Sequence, residues 1–382
     1  MIYITKYQKP KHSAVMQYTW DDLFNGMINF DKKETRYAFD PTGTYTFVKD
    51  QVEMNQALSD LLIFANEKMD AFLERYKNLY EVERNKLYET FYIPKRSGGL
   101  RKIDAPNEEL KCALREVKYF LEDNLDLKYH TSAFAYIKGR NTIAAVKKHQ
   151  SNASRWFLKT DFSNFFGSTT KEFVLKMFEM IYPMNEILAR RNMREKFEKI
   201  LDLCFLNGGL PQGTPVSPTI TNIMMIPIDH ALFNKFNKDN FIYTRYADDI
   251  IVSHRYDFKF TDKVNEINEI LRMFEAPFRI KNEKTRYGSS AGKNFNLGVM
   301  LNKDNEITIG HEKKKRFKAM CCNFIMDTKN NVPWSHEDLE QFQGIMSYYR
   351  MVEREAIDSI VEKANQKFGV DMLKLLKEQV SI

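Results

Sequence analysis

From Gln51 to Glu89 the chain contains no Pro or Gly, and Leu58, Leu61, Leu62, Ala65, Met69, Phe72, Leu73 and Tyr76 recur at helical spacing. This predicts one long helix or two, with the apolar stripe as a packing face. The period then shortens. Phe91-Tyr92-Ile93-Pro94 and Leu100-Arg101-Lys102-Ile103-Asp104-Ala105-Pro106 flank Ser97-Gly98-Gly99, which reads as strand, glycine turn and strand. Helical patterning returns over 107–125 and through Ala145 to His149, where His149 has no partner at i+4 and reads as packed or capping rather than as a metal ligand. Arg155-Trp156-Phe157-Leu158-Lys159-Thr160-Asp161 is an apolar strand ending in an acid, followed by Phe162, Phe165 and Phe166. Ser168-Thr169-Thr170 then caps a helix.

Helical segments fill 170–205. Over Gly208–Pro218 three Pro and three Gly fall within eleven residues, which demands a rigid loop of close backbone approach. A helical pattern over Ile220–Phe236 precedes two β-branched and aromatic runs, Phe241–Arg245 and Ile250–Ser253. A helix over 261–275, the Phe278–Thr285 segment and a strand over Phe295–Leu301 come next. Beyond Gly310 the pattern is helical, with Lys313–Lys318 opening one helix and 335–382 supplying more, so a boundary is drawn near 305. Residues 1–50 are polar, aromatic-rich and irregular, with Trp20, Phe24, Phe30 and a turn at Asp40-Pro41-Thr42-Gly43, and read as an appended module.

The 382 residues leave room for two or three domains. A hydrophobic fraction of 43% and an aromatic fraction of 13% suit a folded protein rather than a disordered one. The net charge of +7 favours polyanion contact but is far below that of a histone-like protein. The four cysteines form no CxxC, and adjacent Cys321 and Cys322 could not bridge without strain. There is no signal-peptide core, and no run of about 18 apolar residues, so we expect a reducing cytoplasm and no membrane partner.

The chemistry concentrates at Tyr246-Ala247-Asp248-Asp249, between the two strand-like runs. A hairpin there would carry two carboxylates at its tip, and two like charges so close raise each other's proton affinity unless a cation lies between them. Neighbouring strand residues face opposite ways, so a third carboxylate has to come from elsewhere. Asp161 is the candidate. Both acids end apolar strands with helical connections between them, a βα-type arrangement that can set strand ends side by side. An oxygen-only donor set prefers Mg²⁺ or Mn²⁺ to zinc, and two such ions suit in-line phosphoryl transfer. Cations at Lys95, Arg96, Arg101 and Lys102 could then meet a triphosphate, Gln212-Gly213 could approach a base or sugar, and Phe166 could stack under a sugar.

These segments resemble reverse transcriptases: the Tyr-Ala-Asp-Asp hairpin, Leu158–Phe166 and Gly209-Leu210-Pro211-Gln212-Gly213-Thr214-Pro215-Val216-Ser217-Pro218 carry the likeness. Ser97–Arg101, Lys284-Thr285 and Leu297-Gly298 fall where that family has its fingertip and later palm, so the likeness spans about 90–350. More narrowly, the segments look like bacterial enzymes related to group II intron and retron reverse transcriptases. Asn296-Leu297-Gly298 replaces the retron Val-Thr-Gly, and the stretch over about 1–85 is untypical of retrons, so the nearest type is a stand-alone, defence-associated enzyme. The resemblance implies an α+β right-hand polymerase: an N-terminal extension over 1–85, fingers over 86–160, an antiparallel palm backed by helices over 161–305 and a helical thumb over 306–382. No maturase, endonuclease or RNase H segment is expected after the thumb.

It also implies roles. Asp161, Asp248, Asp249 and the Phe162 backbone would hold two Mg²⁺, with Mn²⁺ as substitute, and Lys284 would protonate pyrophosphate. Lys95, Arg101, Phe162, Gln212, Gly213 and Tyr246 would line the nucleotide site, with Phe166 as a gate against the 2′-hydroxyl. Lys313, Lys314, Lys315, Arg316 and Lys318 would grip template and primer. Gln343-Gly344 and Tyr348-Tyr349-Arg350 could either follow the minor groove or pack. The implied partners are a template RNA, expected to be an associated noncoding RNA, then dNTPs and the DNA product. The alternatives are a retron enzyme making RNA-linked DNA from its own noncoding RNA, and untemplated or protein-primed synthesis. A non-catalytic RNA scaffold is disfavoured, because a scaffold has no reason to keep three mutually repelling acids.

Overall fold

Leu58, Leu62, Ala65, Met69 and Phe72, spaced four and three residues apart, are all buried along one face of a single helix, Gln51–Arg75. In the computed structural model, which describes residues 51–95, 98–125, 127–290 and 295–380 and three earlier strands, this helix packs on the Arg191–Asp202 helix, where Lys196 bonds Asn66 and Asp70. The earlier strands are β1 (Val15–Met16), β2 (Tyr37–Phe39) and β3 (Tyr45–Phe47), paired in the order β1-β3-β2. Trp20, Phe24, Phe30, the Asp40–Gly43 turn, Arg96 and Ser97 lie outside the described residues.

The chain divides into two compact units that do not follow chain order. One comprises Met1–Arg140, Thr160–Ile250 and Lys259–Thr285; the other comprises Asn141–Lys159, Ile251–Phe258 and Arg286–Ile382. In the first, β4 (Tyr88–Pro94) and β5 (Leu100–Pro106) form an antiparallel ribbon closed by Gly98 and Gly99, both at positive φ. The Glu108–Tyr119 helix follows, its N-terminus capped by the Asn107 side chain on the Leu110 amide. Thr170 caps Lys171–Phe178 in the same way. Where one helix was read over Ile220–Phe236, two stand, Ser217–Met224 and Ile226–Asn237, because Pro227 cannot donate within the first.

A five-stranded sheet runs in the order β10-β6-β8-β7, with β9 also paired to β6. Its strands are β6 (Trp156–Ser163), β7 (Ile242–Tyr246), β8 (Asp249–His254), β9 (Arg279–Ile280) and β10 (Arg286–Ser289). β9 and β10 pair antiparallel with successive parts of β6. Between β6 and β8 the Arg155 amide meets the His254 carbonyl and the Phe162 amide meets the Asp248 carbonyl, which also runs antiparallel. The antiparallel palm implied by the resemblance therefore stands, and the βα-type topology suggested by the helical connections does not. Strand ends still meet, because Asp161 sits near the end of β6 and Asp248 immediately before the start of β8.

In the second unit, β11 (Phe295–Asn296), β12 (Val299–Leu301) and β13 (Ile307–Thr308) form a small antiparallel sheet. The helices His311–Lys329, His336–Phe368 and Met372–Val380 share a core of Phe317, Phe324, Phe342, Ile357 and Met372. Tyr349 packs on this core and Tyr348 on a neighbouring cluster around Val146 and Phe157, while Arg350 pairs with Asp358, so Tyr348-Tyr349-Arg350 serves packing. The long helix breaks its helical backbone at Glu353, whose carboxylate takes hydrogen bonds from Thr308 and the Ile309 amide and an ion pair from Lys314. Among the described residues all four cysteines are free.

His149 is fully buried on the Thr142–Ser151 helix, with Nδ1 2.6 Å from Ser253 Oγ, and burial pushes its pKa down to about 3. An unfolded chain takes up this proton below its ordinary value near 6.5 while the folded chain refuses it, so the stability contribution is whole above pH 6.5 and is lost as pH falls toward 3. Between pH 6.5 and 5 the loss is roughly 2 kcal/mol. Urea unfolding followed over this range should show that slope, and a His149→Gln variant should be distinctly less sensitive to acid; an identical slope in both would exclude the histidine as its source.

Candidate active site

The β7–β8 turn places Ala247 at φ +57, a left-handed backbone costing an alanine roughly 1–2 kcal/mol. Its carbonyl is held by Arg245 Nη1 at 3.0 Å. The same guanidinium donates through Nε and Nη2 to Asp229 at 2.8 and 2.7 Å, and through Nη1 to Asn222 at 3.2 Å. Both side chains of this ion pair are 0% exposed, and the Tyr243 hydroxyl adds a third donor to Asp229 at 2.7 Å. The Arg245 backbone binds the Ser132 carbonyl and the Phe134 amide. Four hydrogen bonds from the guanidinium and two carboxylate oxygens that each accept are thus engaged at the base of the hairpin, as a buried ion pair requires.

Asp161 is 4% exposed on β6. Its carbonyl accepts from the Lys281 amide at 2.9 Å, and its Oδ2 is ion-paired with Lys284 Nζ. Its Oδ1 is buried with no hydrogen-bond partner among the described residues. The Phe162 amide donates to the Asp248 carbonyl at 3.1 Å, which fixes Asp161 beside the acid pair. Partial desolvation, followed by the Asp161 charge, raises the Asp248 pKa, while Lys284 and Arg101 pull it down. The Asp249 carboxyl keeps an exposed edge at the tip, yet desolvation and then the charges of Asp248 and Asp161 push it up to about 6. The Lys284 pKa is raised, first by its hydrogen bond to Asp161.

This donor set fits a divalent cation: hard oxygens, one of them buried without a partner, with Asp248 and Asp249 both made harder to ionise by burial and by neighbouring carboxylates. It is not a preformed cage, since no group of three or more metal-ligating side chains is drawn together among the described residues. Lys284 supplies the counter-charge at Asp161 instead. The Phe162 side chain corrects one expectation: its ring is 2% exposed and stacks on Phe165 and Phe278, so only its backbone can face a ligand.

Phe166 lies half-buried on the short Phe165–Ser168 helix, and its carbonyl accepts from the Leu210 amide at 3.0 Å. Gly209 has to be glycine there, because a Cβ would stand 2.2 Å from the Gly167 carbonyl oxygen. Downstream, the Gln212 carbonyl accepts from the Asp104 amide at 2.8 Å, and Gly213, at φ +118, packs against Ile103 and Asp104. The Gly-Pro loop thus ties β5 to the Phe166 segment and brings Gln212 and Gly213 together with the ribbon. Lys95 closes the ribbon turn through its backbone, with Gly99 accepting at 2.9 Å, and Tyr246 ends β7 half-buried.

Of the cations on the His311–Lys329 helix, Lys313 donates to the Gly298 carbonyl and Lys314 pairs with Glu353. Their ammonium groups thus already have partners within their own unit, whereas Lys315, Arg316 and Lys318 are exposed.

Arg245, Asp229 and Asn222, which support the hairpin, and Tyr136, which stands near it, carry no motif of their own in the sequence. Tyr136 has φ +60 and 59% exposure, a strained placement for an aromatic residue. Its loop is pinned by Arg140 to the His130 and Ala133 carbonyls and by Asn222 to the Ala135 carbonyl, and Ala133 bridges Arg245 in parallel. Tyr136 lies within electrostatic reach of the acids: partial burial of its hydroxyl first, and then the Asp248 charge, raise its pKa. A buried arginine one residue from the acid motif was the only signal available in sequence.

Arg245→Met should lower unfolding stability by about 3–5 kcal/mol, because Asp229 is left charged and buried without its partner. Arg191→Ala, which breaks an exposed pair with Glu195, should change it by less than about 1 kcal/mol. Thermal unfolding of the two variants measures the difference.

Residues 93–322, more than half of the chain, match the family described as reverse transcriptase (RNA-dependent DNA polymerase). Similar curated proteins include the retron Ec83 reverse transcriptase of Escherichia coli, 28% identical over 301 residues, covering 76% of this chain and 90% of that protein. The retron Mx65 reverse transcriptase of Myxococcus xanthus is 26% identical over 296 residues, covering 74% of this chain and 65% of that protein. Among solved structures, the telomerase of Candida albicans in complex with a TWJ fragment of telomeric RNA is a distant likeness, with TM-score 0.46 and 11% identity over 95% of this chain and 71% of that one.

Proposed function

This chain belongs to the reverse transcriptase family and is an RNA-directed DNA polymerase, and we propose that it adds dNTPs at the site built from Asp161, Asp248 and Asp249. The observation that carries the siting is the buried, unpartnered Asp161 Oδ1 beside the crowded acid pair. Members of this family work with divalent metal ions. We assign two Mg²⁺, replaceable by Mn²⁺, to the three carboxylates and the Phe162 carbonyl; when bound they supply Lewis acidity toward the attacking hydroxyl and charge neutralisation for the leaving pyrophosphate.

The chain's own groups do the rest. Lys95 and Arg101 on the ribbon draw the triphosphate toward the acids, which the pull of the Arg101 charge on the Asp248 carboxyl supports. Gln212 and Gly213 border the base and sugar, and Tyr246 supports the primer side of the hairpin. We assign the half-buried Phe166 ring as the gate that excludes a 2′-hydroxyl. Lys284 Nζ, once no longer needed as the counter-charge of Asp161, is placed to protonate the departing pyrophosphate. We assign fingers to 86–160, palm to 161–305 and thumb to 306–382, with Lys315, Arg316 and Lys318 gripping backbone phosphates.

The similar curated proteins carry retron names. That favours an associated noncoding RNA as template, copied into RNA-linked DNA, over the stand-alone type that the sequence alone suggested. The cellular role we propose is antiviral defence.

Purified protein given primed RNA, dNTPs and Mg²⁺ should extend the primer, and Asp248→Asn should cut the rate by about a thousand-fold, equivalent to several kcal/mol of lost charge stabilisation. Undiminished extension would sink the site assignment. Phe166→Ala should relax discrimination against ribonucleotides by roughly 10–200-fold in kcat/KM while leaving dNTP use comparatively intact. Single-nucleotide incorporation with dNTP and rNTP in parallel reads this out.

A further inference from the structure

A second cleft, of about 320 Å³, lies between the Phe260–Met273 helix and β9. Asn265, Asn268 and Arg272, spaced three and four residues apart, form one stripe of the helix and line the cleft together with Arg279 and Asn282. Leu271, Phe278 and Ile280 make an apolar floor, each 9% exposed or less. The buried face of this helix is the ordinary apolar one, Ile267 and Leu271; the cleft wall beside it presents two amides and a guanidinium, with Asn265 and Arg272 exposed and Asn268 half-buried. Arg272 and Arg279 are exposed, and among the described residues neither side chain has a hydrogen bond or ion pair, nor do the three amides. None of these residues belongs to the acid site.

We propose that this cleft binds one unstacked nucleotide unit of a single-stranded RNA. Two unpaired guanidiniums on one rim are mutually repulsive unless an anion joins them, and their planar donors match a phosphate. Three amides offer donors and acceptors together, which a nucleobase edge satisfies and a carboxylate of an acidic peptide does not. The apolar floor accommodates the face of an unstacked base, the form in which single-stranded RNA is read, and the volume lies at the small end of the range for ligand sites. β9 pairs with Phe162-Ser163, and the next residue, Lys281, bonds the Asp161 backbone, so the bound strand is held on the same strand pair that carries a catalytic acid without touching the acids themselves.

The test uses the full chain in EDTA, so that no polymerisation occurs, with an unstructured 12-nucleotide RNA carrying 4-thiouridine. Irradiation should crosslink it to the segment 265–282, and anisotropy should give an affinity about tenfold weaker for R272A/R279A, with a salt slope reduced by about 1.4 for two lost phosphate contacts. N265A/N268A should weaken binding several-fold at an unchanged slope. Should the double alanine variant fold poorly, R272Q/R279Q takes its place. Crosslinks absent from 265–282, or affinity and slope unchanged in both variants, would overturn the proposal. Free AMP, GMP, CMP or UMP binding as tightly as the RNA would overturn its assignment to a strand. Extension of a short pre-annealed primer–template should stay within twofold in all variants, so the polymerase reading and this one can fail separately.

Discussion

The buried ion pair between Arg245 and Asp229 is the constraint on which the acid hairpin depends. A guanidinium with no exposure is tolerable only when it is paired and well hydrogen-bonded, and here four hydrogen bonds join it to Asp229, Asn222 and the Ala247 carbonyl. Those three come from the Ile226–Asn237 helix, the Ser217–Met224 helix and the hairpin turn, so satisfying one charge fixes three elements. The left-handed Ala247 follows from that fixation, and it turns Asp248 and Asp249 out at the tip. The Arg245 backbone also holds the Ser132–Phe134 segment that leads to Tyr136.

The acids themselves are a cost that the surroundings offset. Each carboxylate raises the proton affinity of the next, and Lys284 answers at Asp161, where its ammonium occupies one oxygen and leaves the other buried and unsatisfied. A group held in that state is poised for a cation rather than at rest. The strain therefore sits where chemistry is done, while the neighbouring helices and the aromatic cluster of Phe162, Phe165, Phe278 and Phe173 provide the rigidity.

Local rules made most elements legible. The stripe of the Gln51–Arg75 helix, the Thr170 cap and the hairpin around Ala247 follow from side-chain periodicity and turn chemistry, which act over a few residues. The reading failed where a decision required partners distant in sequence. β6 and β8 run antiparallel although helices connect them, because strand direction is set by the sheet and not by the connection. The Phe162 ring went to the core because Phe278, more than a hundred residues away, was there to receive it, and Lys313 and Lys314 were taken up by Gly298 and Glu353.

By itself the sequence determined that three acids, a basic glycine ribbon and a Gly-Pro loop occur in one chain, and hence the family and the reaction class, because those residue types and spacings are short-range facts. Only the tertiary structure decided which oxygen of Asp161 is left without a partner, which lysine balances it and which cations stay free for a polyanion. Burial and charge pairing decide those, and both are properties of neighbours brought together by folding rather than of any one stretch of chain.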